Sequence, residues 1–169
     1  GAWQVVDGAS GGRKYVEGGP GPVVGRAAEL AVGKGGVVAR TREEAVEAVK
    51  SAMLDRAFGE SGARVVIEEY LEGPEVSVLS FTDGNTLVPM VSSMDHKRAL
   101  DGDEGLNTGG MGTIAPNPYY TPEVAAECME KIFLPTVRAM NAEGRPFRGC
   151  LYFGLMLTQS GPKGIEYNR

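Results

Sequence analysis

The chain has 169 residues, enough for one compact domain or for two small lobes that share a core. Its formal net charge of −5 argues against a duplex nucleic-acid partner, because such a partner requires a basic face. No segment approaches the roughly 18 uninterrupted apolar residues of a membrane-spanning helix, so no membrane partner is expected. The two cysteines, Cys128 and Cys150, have no metal-ligand or disulfide spacing, which favours a reducing, cytoplasmic setting.

The N-terminal segment is rich in glycine and shows no apolar periodicity beyond Val5 and Val6. We interpret residues 1–21 as a linker, a tag remnant or a truncated edge of the fold.

Regular secondary structure is predicted from residue 22 onward. Strands at residues 22–24 and 37–39 flank a glycine-rich loop. Thr41 and Glu44 have the spacing of a capping box, which predicts that a helix begins there. The apolar residues that follow recur at helical spacing and predict a helix packed on a sheet; they are Ala45, Val46, Ala48, Val49, Ala52 and Met53.

The rest of the chain combines strands with one long helix. β-Branched residues and period-2 alternation predict strands at residues 64–71 and 75–82, and a turn at residues 83–85 leads into a third strand at 86–90. Thr121 is a predicted N-cap, and the helix after it should kink near Pro135 and end at Gly144. Strands at residues 149–158 and 165–167 complete a mixed α+β pattern.

The first candidate site is the loop that contains Lys34 and Gly35, where small residues allow backbone N–H groups and a lysine to approach an anion. It is not a Walker A loop, because no serine or threonine follows the lysine and Ala28 takes the place of the leading glycine. A tight turn with a solvated lysine is an equally good interpretation of this loop alone. Arg26, on the preceding strand, is a second candidate phosphate contact, although such an arginine is more often a surface residue.

The second candidate site is an acidic segment at the end of a predicted strand. Around Glu68, Glu69 and Leu71, backbone groups beyond the last strand pair are able to bind the edge of a nucleotide base. A solvated strand end is the alternative. Glu75 is a separate candidate, since a carboxylate accepts two hydrogen bonds and is suited to ribose hydroxyls.

The third candidate site combines a charged segment with a glycine loop. Its side chains suit phosphate and carboxylate groups on a ligand, and its single histidine excludes a histidine-based metal cage. The candidate residues are Asp95, His96, Lys97 and Arg98, followed by Asn107, Gly109 and Gly110.

The last candidate site is at the end of the chain. Period-2 alternation places Glu166 and Asn168 on one strand face and Tyr167 on the other. Two oxygen ligands on one face suit Mg²⁺, which takes few protein ligands and completes its coordination with phosphates and water. An exposed strand with ordinary polar alternation is the alternative.

These motifs occur in an order that resembles the glycinamide ribonucleotide synthetases, also called phosphoribosylamine–glycine ligases, of the ATP-grasp superfamily. The resemblance covers roughly residues 22–168, and it depends most on the Asp-His-Lys-Arg segment at 95–98 and the Asn-Thr-Gly-Gly-Met-Gly segment at 107–112. It implies an ATP-grasp fold of two α+β lobes with the nucleotide between them. Residues 22–72 would form the lid lobe and residues 73–169 the core lobe, truncated at both ends.

The resemblance implies ATP-dependent joining of glycine to 5-phosphoribosylamine in purine synthesis, through a glycyl phosphate. ATP would bind with Mg²⁺ or Mn²⁺ held by Glu166 and Asn168. The implied catalytic residues are Lys34, Asp95, His96, Lys97 and Arg98. The implied nucleotide-binding residues are Arg26, Lys34, Gly35, Glu68, Glu69, Leu71, Glu75, Asn107, Gly109 and Gly110.

Two departures from the family pattern bear most on activity. Arg26 stands where the family has a phosphate-binding lysine, and Ala28 and Glu29 replace an acid and a glycine. The N- and C-terminal domains of the family are also missing. Two other interpretations therefore remain open: a nucleotide-binding or inert module without turnover, and an ATP-grasp ligase for another amine.

Overall fold

A computed structural model describes residues 2–7, 12, 14, 16, 18, 23–27, 36–39, 41–53, 64–102 and 104–169. The chain divides into two compact units, Gly1–Leu71 and Glu72–Arg169. This division lies one residue from the predicted lobe boundary. No helix in the described part of the chain is long and apolar enough to cross a membrane.

The first unit contains a four-stranded antiparallel sheet in the order β1-β4-β2-β3. A helix, α1, packs against this sheet through a core that includes Val6, Ala45, Val49 and Ile67. The elements are β1 (Trp3–Asp7), β2 (Val23–Ala27), β3 (Gly36–Ala39), α1 (Arg42–Met53) and β4 (Arg64–Glu69).

The start of α1 confirms the predicted capping box. Thr41 Oγ1 accepts a hydrogen bond from the Glu44 backbone N–H at 3.2 Å, and Glu44 Oε2 accepts one from the Thr41 N–H at 3.4 Å. Ala45 and Val49 are buried, as their helical spacing predicts.

The interpretation of residues 1–21 as a linker or tag remnant is wrong for β1. This strand pairs with β4 over its whole length, from Trp3 opposite Glu68 to Asp7 opposite Arg64. Val6 is buried in the core of the unit. The apolar signal was too short to predict a strand, because only one face of this edge strand reaches the core.

The second unit contains a four-stranded antiparallel sheet in the order β10-β9-β5-β6 and a separate two-stranded hairpin, β7-β8. The strands are β5 (Glu75–Thr82), β6 (Leu87–Pro89), β7 (Met94–Leu100), β8 (Glu104–Ile114), β9 (Gly149–Thr158) and β10 (Gly161–Asn168). One face of the larger sheet packs on helical residues, with Val76, Val78, Phe133 and Phe153 in the core.

The long helix of this unit changes geometry along its length. It consists of α2 (Pro122–Cys128), a π-helical segment (Met129–Phe133) and α3 (Leu134–Ala142). The π segment ends just before Pro135, which has no backbone N–H to donate. The Thr136 hydroxyl donates to the Ile132 carbonyl at 2.7 Å. The change of geometry therefore falls where the sequence predicted a kink.

The hairpin β7-β8 corrects the predicted glycine loop at residues 107–112. These residues lie within β8, which pairs with β7 in a register that is shifted twice. Most side chains of β7 are exposed or half-buried. Since the hairpin buries neither face, its strands lack the apolar alternation from which a strand is predicted.

Candidate functional site

Alternating side chains give the larger sheet of the second unit two different faces. Val76 and Val78 on β5 point to the helices, so Glu75 and Ser77 lie on the opposite face. We call this opposite face the open face. In the strand register, Ser77 lies beside Gly154 of β9, and Gly154 lies beside Glu166 of β10. The open face therefore brings a predicted ribose ligand and a predicted metal ligand onto one surface.

Gly154 leaves room above β9 for the side chains of Glu166 and Tyr152. A Cβ atom added at Gly154 would lie 2.7 Å from Cγ of Glu166 and 3.3 Å from the hydroxyl oxygen of Tyr152. Tyr152 also shares a 3.0 Å hydrogen bond with the Ser77 hydroxyl. Glu166 and Tyr152 consequently occupy space that any larger residue at this position would fill.

Lys97 of β7 pairs with Glu75 on the open face. Its Nζ donates to Glu75 Oε2 at 2.9 Å, and both side chains are partly buried. Burial by itself would lower the pKa of Lys97, but the hydrogen bond and charge of Glu75, with the charge of Glu166, outweigh it and raise that pKa. Lys97 is therefore held as a cation within electrostatic range of both carboxylates.

Asp95 and His96, beside Lys97 in the charged segment, contact the opposite strand of the hairpin. A Cβ added at Gly110 would lie 2.9 Å from Asp95 Oδ1, and Gly110 has a φ of 128°. Nδ1 of His96 is 3.3 Å from the Gly112 carbonyl oxygen. Both side chains lie along the glycine-rich part of β8.

Arg98 turns toward the tip of the same hairpin, where its Nη1 donates to the Gly105 carbonyl at 2.7 Å. The backbone of Asn107 lies opposite Arg98. A Cβ added at Gly109 would meet no atom within 4 Å. Among the four charged candidates of residues 95–98, Lys97 is thus the one that the described contacts bring to Glu75.

Glu166 and Asn168 lie on the open face, as period-2 alternation predicted. Tyr167, between them, points to the helical side, where its ring packs edge-on against Phe153 at 5.6 Å and its hydroxyl lies 3.3 Å from the Thr136 hydroxyl. These contacts orient β10.

The described residues contain no cluster of three or more histidine, cysteine or acidic side chains that would hold a metal by itself. One carboxylate and one amide oxygen suit a cation such as Mg²⁺ that shares its coordination with phosphates.

The remaining nucleotide candidates belong to the first unit. Glu68 and Glu69 are paired within the sheet, and the Glu69 N–H donates to the Ala2 carbonyl at 2.9 Å. Leu71 follows the last strand pair of β4, and its role in binding a nucleotide base stays a prediction. Arg26 lies on β2 with its backbone opposite Gly36 and Val66. Lys34 and Gly35 fall outside the described residues.

Three residues of the open face were not among the predicted site residues: Ser77, Tyr152 and Gly154. A usable signal was present in β9, since Leu151, Phe153 and Leu155 are the core positions and the residues between them must face away.

Comparison with known proteins identifies the family. Residues 2–169 match the family model described as phosphoribosylglycinamide synthetase, ATP-grasp (A) domain. The chain belongs to this family. It is 50% identical over 167 residues to a phosphoribosylamine–glycine ligase from Neisseria meningitidis, and 51% identical over 156 residues to one from Streptococcus pyogenes. The matches cover 98% and 92% of this chain.

The phosphoribosylglycinamide synthetase family also accounts for the architecture. The crystal structure of phosphoribosylamine–glycine ligase from Thermotoga maritima matches 99% of this chain with a TM-score of 0.88 and 33% identity. The predicted α+β ATP-grasp fold is confirmed. The chain spans 40% of the Neisseria relative, 37% of the Streptococcus relative and 42% of the Thermotoga chain.

Proposed function

We propose that the chain is the ATP-binding part of a phosphoribosylamine–glycine ligase, which joins glycine to 5-phosphoribosylamine with ATP hydrolysis in purine synthesis. The observation that carries this proposal is the convergence of Glu75, Lys97 and Glu166 on the open face. In this proposal Glu75 is a ribose ligand, Lys97 is a cation on the substrate side and Glu166 is a metal ligand. The names of the relatives support the same reaction.

The proposed nucleotide contacts come from the sequence motifs. Leu71 and the neighbouring backbone would bind the adenine edge, and Glu75 would accept hydrogen bonds from ribose hydroxyls. Lys34 and Arg26 would neutralise phosphates, assisted by the N–H of Gly35.

A divalent cation, Mg²⁺ or Mn²⁺, would be held by Glu166 and Asn168 and would neutralise phosphate charge when bound. Gly154 supports this assignment, because its missing side chain leaves room for the Glu166 carboxylate. The residues on β10 therefore fit the oxygen-rich, partly open coordination that a nucleotide-bound cation requires.

The reaction would proceed in two transfers. A carboxylate oxygen of glycine attacks the γ-phosphorus of ATP, the bond to the β-phosphate oxygen breaks, and ADP and glycyl phosphate form. The amine of 5-phosphoribosylamine then attacks the acyl carbon, the bond from that carbon to the phosphate oxygen breaks, and phosphate and one proton are released as the amide forms. Lys97, a cation held beside Glu75, would orient anionic substrate groups with His96 and Arg98, and Asp95 would accept hydrogen bonds from substrate donors. Asn107, Gly109 and Gly110 would line the same ligand.

Calorimetric titration with MgATP tests the binding step. We expect saturable binding by the chain and binding about tenfold weaker in Glu166→Gln, which removes the metal-ligand charge. Glu130→Gln is the matched control, because Glu130 is exposed on the π segment, on the helical side of the sheet. No binding at millimolar ATP, or equal weakening by both variants, would contradict the assignment.

A second candidate function is nucleotide binding without turnover, favoured by Arg26 in place of the family lysine and by Ala28 beside it. ADP release that depends on both glycine and 5-phosphoribosylamine would exclude it. Arg26→Lys should tighten ATP binding if the guanidinium is responsible for a weak site, and unchanged affinity would place the cause elsewhere.

We also infer a cytoplasmic location. The free cysteines, Cys128 and Cys150, and a substrate set drawn from nucleotide metabolism support it.

A further inference from the structure

Asn117 is a buried polar residue that none of the motifs includes. It follows β8 and is 2% exposed. It lies 42 residues from Glu75 and 24 from Ser93 in sequence, yet its side chain bonds to the backbone of both. A buried amide with long-range partners fixes backbone segments relative to each other.

Every polar group of the Asn117 side chain is used. Its Nδ2 donates to the Glu75 carbonyl at 3.0 Å and to the Ser93 carbonyl at 3.1 Å. Its Oδ1 accepts from the Tyr119 N–H at 2.9 Å. Its own backbone N–H donates to the Ser92 carbonyl at 3.1 Å. Only a side chain with two donors and one acceptor at this length makes all three side-chain bonds.

The Asn117 side chain connects three backbone segments of the second unit. Glu75 begins β5, Ser93 directly precedes β7, and Asn117 follows β8. Ser77 and Ser93 exchange two backbone hydrogen bonds of 2.9 Å, which continue the same junction. The spacing between the Glu75 backbone and the start of β7 is therefore set at Asn117.

We propose that Asn117 is a positioning residue that holds Glu75 where its carboxylate meets Lys97 and the ribose of a bound nucleotide. It touches neither ligand nor reacting atoms, and it acts through the backbone of Glu75. The inference rests on the proposed nucleotide site. Because Glu75 is the predicted ribose ligand, loss of its position should reduce the distinction between a ribose and a 2′-deoxyribose more than it reduces adenine or phosphate binding.

The test is the ratio of dissociation constants for 2′-deoxyATP and ATP, measured by calorimetry with Mg²⁺ on the full 169-residue chain. We expect the chain to prefer ATP about tenfold and Asn117→Ala to prefer it less than about twofold. Asn141→Ala is the matched control, because the Asn141 amide also donates to a backbone carbonyl, that of Gly84, at 2.6 Å. The control should keep the tenfold preference.

A double variant separates positioning from general weakening. If Asn117 acts through Glu75, Glu75→Gln should lower the preference as Asn117→Ala does, and the double variant should show no further loss. Additive losses, or a folded Asn117→Ala chain that keeps the full preference, would overturn the inference. If Asn117→Ala does not fold, the same ratio is measured for Asn117→Ser, which retains one donor. A preference for ATP near threefold supports the inference, and an unchanged preference overturns it.

The same titrations distinguish failure of the proposed ATP site from failure of the role proposed for Asn117. An unmodified chain that binds neither nucleotide would overturn the proposed ATP site and this inference with it. A chain that binds ATP with the expected preference, unaltered by the Asn117 variants, would overturn the inference alone.

Discussion

Gly73, between the predicted base-binding segment and β5, should be among the least replaceable residues of the second unit. Its φ of 149° is a conformation that residues with a side chain rarely adopt. A Cβ added there would overlap the carbonyl oxygen of Leu157 and lie 2.8 Å from its carbonyl carbon. The Leu157 N–H donates to the Pro74 carbonyl at 3.0 Å, so relief of the overlap must disturb that bond.

The cost of Gly73→Ala follows from these two effects. The unfavourable backbone conformation costs about 1 kcal/mol, and the overlap with the Leu157 carbonyl adds about 2 kcal/mol of strain and lost hydrogen bonding, for a total of about 3 kcal/mol. Gly102→Ala is the matched control, because Gly102 has a φ of 74° but no atom within 4 Å of the added Cβ. The control should lose only the backbone contribution, about 1 kcal/mol.

Urea unfolding, monitored by circular dichroism, measures the difference in the free energy of unfolding between the two variants. With a slope of about 2 kcal/mol per molar urea, the midpoint of Gly73→Ala should lie about 1 M below that of Gly102→Ala. Equal midpoints for the two variants would show that the close approach of the Leu157 backbone does not limit the side chain at residue 73.

Three further predictions concern the helical side of the second unit. Thr121→Ala should lower the free energy of unfolding by about 1 kcal/mol, because the Thr121 hydroxyl accepts a hydrogen bond from the Val124 N–H. Thr121→Ser keeps a hydroxyl and should lose much less stability in the same urea assay. Equal losses in the two variants would contradict the cap. Phe133→Ala should cost about 3–5 kcal/mol, since Phe133 is fully buried with its ring 4.2 Å from that of Phe153, and a cost below about 1 kcal/mol would contradict this packing. Burial raises the pKa of the Cys128 thiol to about 11 from an ordinary 9.0, so its contribution to stability is fully present below pH 9 and is lost as the pH rises through 11. At pH 8 a thiol reagent should therefore label Cys128 only on unfolding, and labelling as fast as that of the chain's other cysteine would refute its burial.

Local features of the fold were predictable because their causes are local. The capping box at Thr41 and Glu44 needs residues three positions apart, and the structure contains both of its hydrogen bonds. The long apolar run after Arg148 predicted a strand over residues 149–158, which are the observed bounds of β9. The hairpin β7-β8 was not predictable in the same way, since neither of its faces is buried and no apolar period marks it.

The site was predictable as a set of motifs but not as an arrangement. Glu75 and Lys97 were assigned to different candidate sites, and no pattern in the sequence indicated that their side chains pair at 2.9 Å. Asn117 had no signal at all, because its importance depends on partners far away in the chain. Contacts between distant segments are set by tertiary packing, which residue spacing does not encode.

The most direct test of the proposed function uses a chimaera. In a full-length phosphoribosylamine–glycine ligase, the matching segment is replaced by residues 2–169 of this chain. ADP release by the chimaera is then measured with and without glycine and 5-phosphoribosylamine. We expect ADP release that requires both substrates and that is abolished by Glu166→Gln in the same chimaera. A folded chimaera that binds both substrates but releases no ADP, or whose release is unaffected by Glu166→Gln, would contradict it.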